Sequence, residues 1–256
     1  VRTPDFICSK EDIEKKLVKS GEGLGLPRST DDVVLFCDEF ARDGKRRGAV
    51  AIKFMAFYMN GADKGKAQET LDALLADGSL RLPRNNPLNE FLLFNMMKAA
   101  NRAGLVCQVH TGYWNDYREL SPANLLPFFV GEDGDRETRI DLFRCGYPNV
   151  REAIMLGKVW PNVRMNMAWT YLISQRFAYD ALDEMLEMLP DNKVFGFGGD
   201  YYVIEKVFGH LCMARETIAR VLAKRVTERS MTLSRALEIG KKMLYENPKE
   251  FYGFSV

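Results

Sequence analysis

The chain has 256 residues, 46% of them hydrophobic, enough to bury one large core as a single α/β barrel or as a two-domain arrangement. Its 36 basic and 35 acidic side chains cancel to a net charge of +1, which excludes the electrostatic footprint of a nucleic-acid or anionic-membrane binder and leaves a small molecule as the default partner. Five scattered cysteines, Cys8, Cys37, Cys107, Cys145 and Cys212, are never spaced C-x-x-C, so neither a disulfide framework nor a structural zinc knuckle is expected and a reducing cytoplasm is the natural compartment. No apolar run reaches membrane-spanning length and no signal peptide is recognisable, although a start on Val1 rather than Met points to missing upstream sequence.

In chain order, residues 9–20 predict a short exposed helix, and residues 21–29 a loop ending near Thr30 as N-cap. The following helix runs to about Arg42, with Val33, Phe36, Cys37 and Phe40 at helical spacing and Asp31 and Asp32 in its first turn. Residues 49–55 (AVAIKFM) read as a buried strand interrupted by Lys53, and residues 69–75 as a helix. Pro87 opens a long helix stopped by Gly104, which leads into a strand over residues 105–110. The alternation continues with a strand at 140–143, a helix at 150–159, a strand at 163–167, a helix at 178–189 and a strand at 194–197. Two long helices, 203–226 and 233–245, close the chain. Five strands separated by helices give the pattern of parallel β/α units, with no repeat and no linker that splits residues 1–256 into separate domains.

Three segments stop an apolar strand abruptly at polar residues beside glycine: VHTG (109–112), DLFRCGYP (141–148) and FGGD (197–200). Strand ends of this kind are where α/β folds build their sites. His110 is either a metal ligand or general base, or a histidine bonded to a neighbouring loop. Asp200, after two glycines, either coordinates a metal and takes a proton from its water or caps the helix that follows. Lys53 must reach the end of the sheet or be paired, since an ammonium does not sit alone in an apolar strand. Arg144 can clamp a substrate carboxylate or phosphate, Cys145 reads as structural, and Glu205 as a solvated first-turn residue. Tyr113, Trp114, Trp169 and Tyr171 lie just beyond strand ends, where they line a pocket or pack as loops do. His210 falls mid-helix among apolar residues and reads as packing or surface. The glycine-rich stretches at 21–25 and 196–199 do not complete a phosphate-loop motif.

Taken in order, IKFMAFY (52–58), QVHTGY (108–113), DLFRCGYPNVREA (141–153), WPNVRMNMAW (160–169), NKVFGFGGD (192–200) and ENPKEFYGF (246–254) resemble the amidohydrolase-related family of the metal-dependent hydrolase superfamily. The branch they resemble includes the amidohydrolase-like amino-terminal domain of fungal FluG-type proteins. The resemblance implies a TIM-type (β/α)8 barrel, here incomplete, with about strands four to eight present and its amino-terminal part missing. It implies a divalent metal, zinc foremost with manganese or iron also suited, activating water against a C–N bond of a small molecule. His110 matches the strand-five metal histidine, Asp200 the strand-eight aspartate that binds metal and handles the water's proton, and Lys53 a strand-four lysine that some relatives carbamylate.

Two departures qualify that implication. With only His110 and His210 the chain has no His-x-His pair, and Arg144 stands where DLFHxGYP-type relatives carry a histidine. A guanidinium does not ligate a divalent cation and repels one, so metal is expected to be weakly held or absent. Three functions compete: a metal-dependent hydrolase, with Asp200 catalytic, His110, Asp200 and Lys53 on the metal and Arg144, Tyr113 and Trp169 on substrate; a non-catalytic binder holding an anion through Arg144; and a decarboxylase or isomerase on the same barrel. A sheet lacking its first strands is further expected to expose unpaired edges and to self-associate, so a homo-oligomer is a possible state.

Overall fold

A computed structural model of the chain describes residues 1–4, 6–18, 24–54, 61–114, 116–130 and 134–254. Parts of the expected helix at 9–20, the loop at 21–29 with its glycine-rich stretch at 21–25, the strand at 49–55 and the IKFMAFY segment at 52–58 lie outside these residues. Five strands form one sheet in the sequential order β1 (Ala51–Phe54), β2 (Val106–His110), β3 (Ile140–Phe143), β4 (Val163–Asn166) and β5 (Val194–Phe195). Sequential order with intervening helices is the winding of a parallel β/α barrel, and the five strands described fall short of the eight of a complete one.

The chain divides into two compact units, residues 1–108 with 124–139 and residues 109–123 with 140–256. In the first, α1 (Lys10–Asp12) continues into a π-helical segment, Ile13–Val18. Ile13 and Leu17 are fully or almost fully buried there, so this amino-terminal helix is not the exposed one its charge predicts: its apolar stripe outweighs its lysines. α2 (Thr30–Arg46) is capped by Ser29, one residue before the expected Thr30. The Ser29 hydroxyl accepts from the Asp32 amide while the Asp32 carboxylate accepts from the Ser29 amide, a reciprocal cap that fixes the start of the helix. α3 (Lys64–Ala76), capped by Asp63, and α2 both pack on α4 (Pro87–Arg102), whose Leu88, Leu92, Met96 and Ala100 are buried. α5 (Leu126–Val130), not foreseen, brings Phe128 edge-on to Phe94. The exposed edge of β1 is already paired: Lys53 N donates to Val1 O and Thr3 N to Lys53 O, a short parallel bridge.

In the second unit β3 and β4 pair in parallel from Ile140↔Val163 to Phe143↔Asn166, and β4 and β5 from Met165↔Val194 to Asn166↔Phe195. α6 (Val150–Val159), α7 (Thr170–Ile173) and α8 (Gln175–Met188) follow their strands; β5 is followed by α9 (Lys206–Thr227), α10 (Leu233–Lys241), a π-helical segment Lys242–Glu246 and α11 (Asn247–Tyr252). Ile140, Leu142, Val163, Met165, Val194 and Phe195 are fully buried beneath the helices and form the core. β5 is shorter than expected because Gly196 leaves the ladder: its amide donates to Met243 O at 2.8 Å. Asn247 Nδ2 donates to Val194 O at 3.0 Å, so the outer edge of β5 is met by the carboxyl-terminal segment rather than left open. Among the described residues no helix is long and apolar enough to cross a membrane.

Candidate functional site

Every part of the candidate site described next lies in the second unit. β2 ends at His110, and Thr111 ties that end to β3 by donating both its amide (3.1 Å) and its hydroxyl (2.7 Å) to Phe143 O. Gly112 then turns with φ +78°, and a Cβ there would overlap the backbone of Gly146 and Tyr147, so this glycine is what lets the two strand-end loops touch. His110 is fully buried, its Nε2 lies 3.4 Å from the Tyr113 carbonyl and its ring meets Trp114 edge-on at 6.2 Å.

β3 ends in a left-handed turn in which Arg144, Cys145 and Gly146 have φ of 70°, 52° and 71°. Arg144 is only 3% exposed. Its Nη1 donates to Tyr113 O and its Nη2 to Asp200 Oδ2, each at 3.2 Å. Its guanidinium lies 4.7 Å from the Trp169 ring and 5.5 Å from the Trp114 ring, both within cation–π range. The buried Nε has no hydrogen-bond partner among the described residues. Burial lowers the Arg144 pKa from its ordinary value, and the Asp200 carboxylate works against that shift.

The strand-eight-like segment is held as tightly. Gly198 passes where a Cβ would come within 2.7 Å of Ala168 Cβ and 2.8 Å of Asn166 Oδ1. Asp200 adopts φ 56°, and Trp169 Nε1 donates to its carbonyl at 2.9 Å. It caps no helix, since α9 starts only at Lys206. Of five described non-glycine residues with positive φ, four are Arg144, Cys145, Trp169 and Asp200. Such strain persists only where surrounding contacts over-determine it, and it concentrates at functional sites.

Behind the pair lies an aromatic layer. Tyr201 packs on Trp169 (5.7 Å) and its hydroxyl bonds His210 Nδ1; the His210 ring also meets Phe197 at 4.9 Å and Tyr171 at 5.7 Å. Burial pushes the His210 pKa down to about 4 and the Tyr201 hydroxyl up to about 12, the Asp200 charge adding to the latter. Burial likewise pushes Cys145 up to about 12, which makes it a structural thiol, its Sγ 3.3 Å from Asn166 O. In front, Tyr113, Trp114, Tyr117, Tyr147 and Pro148 line a cavity of about 630 Å³.

The structure therefore brings His110, Tyr113, Arg144, Trp169 and Asp200 together, while Lys53 stands in β1 of the first unit. Tyr113 enters through its carbonyl, not only its ring. Sequence reasoning missed the Tyr201–His210 pair; a histidine buried on an apolar helix, aligned with the aromatics around FGGD, is the signal that carried it. Among the described residues no group of three or more His, Cys, Asp or Glu is arranged to hold a metal ion. Asp200 faces a guanidinium where the resemblance places a metal, so among the described residues the set does not fit one.

Comparisons with known proteins agree with this scaffold. No protein-family model matches the chain. Over 189 residues it is 25% identical to Protein fluG of Emericella nidulans, an alignment covering 70% of this chain. Similar solved structures include glucuronate isomerase from Caulobacter crescentus (TM-score 0.77, 19% identity, all of this chain), uronate isomerase from Thermotoga maritima (0.76, 16%, 95% of this chain), and a protein of Lactobacillus casei ATCC 334 assigned as a metal-dependent hydrolase (0.68, 17%, 88% of this chain). The resemblance to the amidohydrolase-related family is borne out. The solved structures establish the α/β, barrel-type fold. The chain spans 22% of the fluG protein and 63%, 57% and 58% of the Lactobacillus, Thermotoga and Caulobacter chains.

Proposed function

We propose that this chain uses an amidohydrolase-type scaffold to hold the carboxylate of a small organic acid at the carboxyl end of its sheet, with Arg144 in place of a metal. The observation that carries this reading is the buried Arg144, set between Trp114 and Trp169 and beside a cavity of about 630 Å³ walled by tyrosines and Trp114. A guanidinium recognises a carboxylate through paired donors, and its strength rises where water is excluded. The names of two structural relatives, uronate and glucuronate isomerase, denote sugar acids and agree with that ligand class. Five free cysteines support a reducing, cytoplasmic setting.

The second reading is a metal-dependent hydrolase or isomerase that completes a metal site from His110 and Asp200, with zinc as the metal and a C–N bond as the target of the hydrolytic form. The assignment of the Lactobacillus relative as a metal-dependent hydrolase favours it. Isothermal titration of EDTA-treated protein with benzoate and glucuronate, against benzamide and glucose, separates the two. Binding of the acids but not of their neutral counterparts, lost in Arg144→Gln, is the expected result. Binding that appears only when zinc is added overturns the proposal in favour of the metal.

A further inference from the structure

The Arg144–Asp200 pair is incomplete as a carboxylate–guanidinium contact. A carboxylate on arginine ordinarily takes two parallel N–H donors. Asp200 takes one, Nη2, while the neighbouring buried Nε has no hydrogen-bond partner among the described residues. A buried N–H left in that state costs free energy that a second carboxylate oxygen would recover. Asp200 itself is poorly placed to supply that oxygen. It sits in a left-handed conformation after Gly198 and Gly199, and its side chain is 34% exposed, against 4% for Arg144. Its backbone is fixed from the other side by the Trp169 indole. The carboxylate is thus the solvent-facing partner of the pair, while the close approach at Gly198 and the Trp169 indole hold the loop behind it in place.

We propose that Asp200 is an internal competitor for the anion seat of Arg144: its carboxylate holds Nη2 in the empty site and leaves when a ligand carboxylate spans Nη2 and Nε, the body of the ligand lying toward Trp114 and the tyrosine-lined cavity. This rests on the carboxylate reading above and adds to it a determinant of affinity and selectivity. A ligand must out-compete an acid already present, so monodentate anions such as chloride gain little, whereas a bidentate carboxylate gains the Nε contact. The aspartate expected to serve a metal serves here as a stand-in for the ligand.

The test is calorimetric titration of benzoate into the full chain, its Asp200→Asn, Asp200→Ser and Arg144→Gln variants, each first shown by circular dichroism to be folded. Removing the competing charge is expected to tighten benzoate about tenfold in both Asp200 variants, while Arg144→Gln abolishes binding. Equal or weaker binding in the two Asp200 variants, with wild-type binding still lost in Arg144→Gln, overturns the competitor role and leaves the carboxylate reading standing. Absence of binding in wild type and in both Asp200 variants overturns both. Two Asp200 substitutions guard against one that fails to fold.

Discussion

At the residue scale the decisive position is Arg144. A fixed positive charge 3.2 Å from Asp200 opposes any divalent ion that would use the same carboxylate, and the burial of Arg144 keeps that charge from being fully screened although the Asp200 side chain is 34% exposed. Arg144→His removes the charge and offers an imidazole beside His110 and Asp200, three ligands of the kind that hold catalytic zinc. Elemental analysis should find wild-type protein with far less than stoichiometric zinc and the variant with clearly more; stoichiometric zinc in the wild type contradicts the carboxylate reading. His210 carries a second prediction. Its folded pKa of about 4 lies below the ordinary 6.5, so the fold favours the neutral ring. Above pH 6.5 that preference costs nothing. As pH falls from 6.5 to 4 the unfolded chain gains a proton that the native state refuses, and stability declines by up to about 3 kcal/mol. Urea midpoints at pH 4.5 and 7.5 should differ more in wild type than in His210→Gln, and equal slopes would place the pH sensitivity elsewhere. Residue identities at the strand ends were legible in the sequence because apolar runs stop there; their partnerships were not, since Arg144 and Asp200 are 56 positions apart and nothing local announces that they meet.

At the element scale, the helices that were read correctly carry strong local signals: Pro87 and Asn86 at the start of α4, or Val150, Ala153 and Ile154 at helical spacing in α6. Those missed or redrawn are set by contacts. The π-helical segments Ile13–Val18 and Lys242–Glu246, the short α5 and α7 and the early end of β5 all answer to neighbours remote in sequence. The end of β5 shows the mechanism. Two backbone groups on its outer edge, Val194 O and Gly196 N, find Asn247 and Met243 instead of another strand. Asn247 is 6% exposed and also donates to Asp191 O, so truncating it strands the buried Val194 O and the half-buried Asp191 O. Asn247→Ala is expected to cost about 2–4 kcal/mol in urea denaturation, each stranded carbonyl accounting for roughly 1–2. A loss below about 0.5 kcal/mol, the range of an ordinary surface change, would mean that water reaches that edge.

At the scale of the whole molecule, the fold class was legible because five β/α alternations survive in order, whereas the partners of the sheet edges were not. Open sheet edges were expected to drive self-association, yet β1 is met by Val1–Thr3 and β5 by Asn247 and Met243. What the second unit does expose is side-chain surface. Ile204 is 80% and Phe208 76% exposed, beside Tyr202 and Val203, a run of apolar groups uncommon on a monomer's surface. Association of this chain is therefore expected through that patch, not by strand pairing, and the two routes respond differently to mutation. Sedimentation velocity should show concentration-dependent association that is reduced in an Ile204→Lys, Phe208→Lys double variant, with melting temperature unchanged because neither side chain is part of the core. Association that persists in the double variant but responds to substitutions along Val1–Thr3 would return the cause to the sheet edge, and a monomer at every concentration would show that the patch is innocuous in solution.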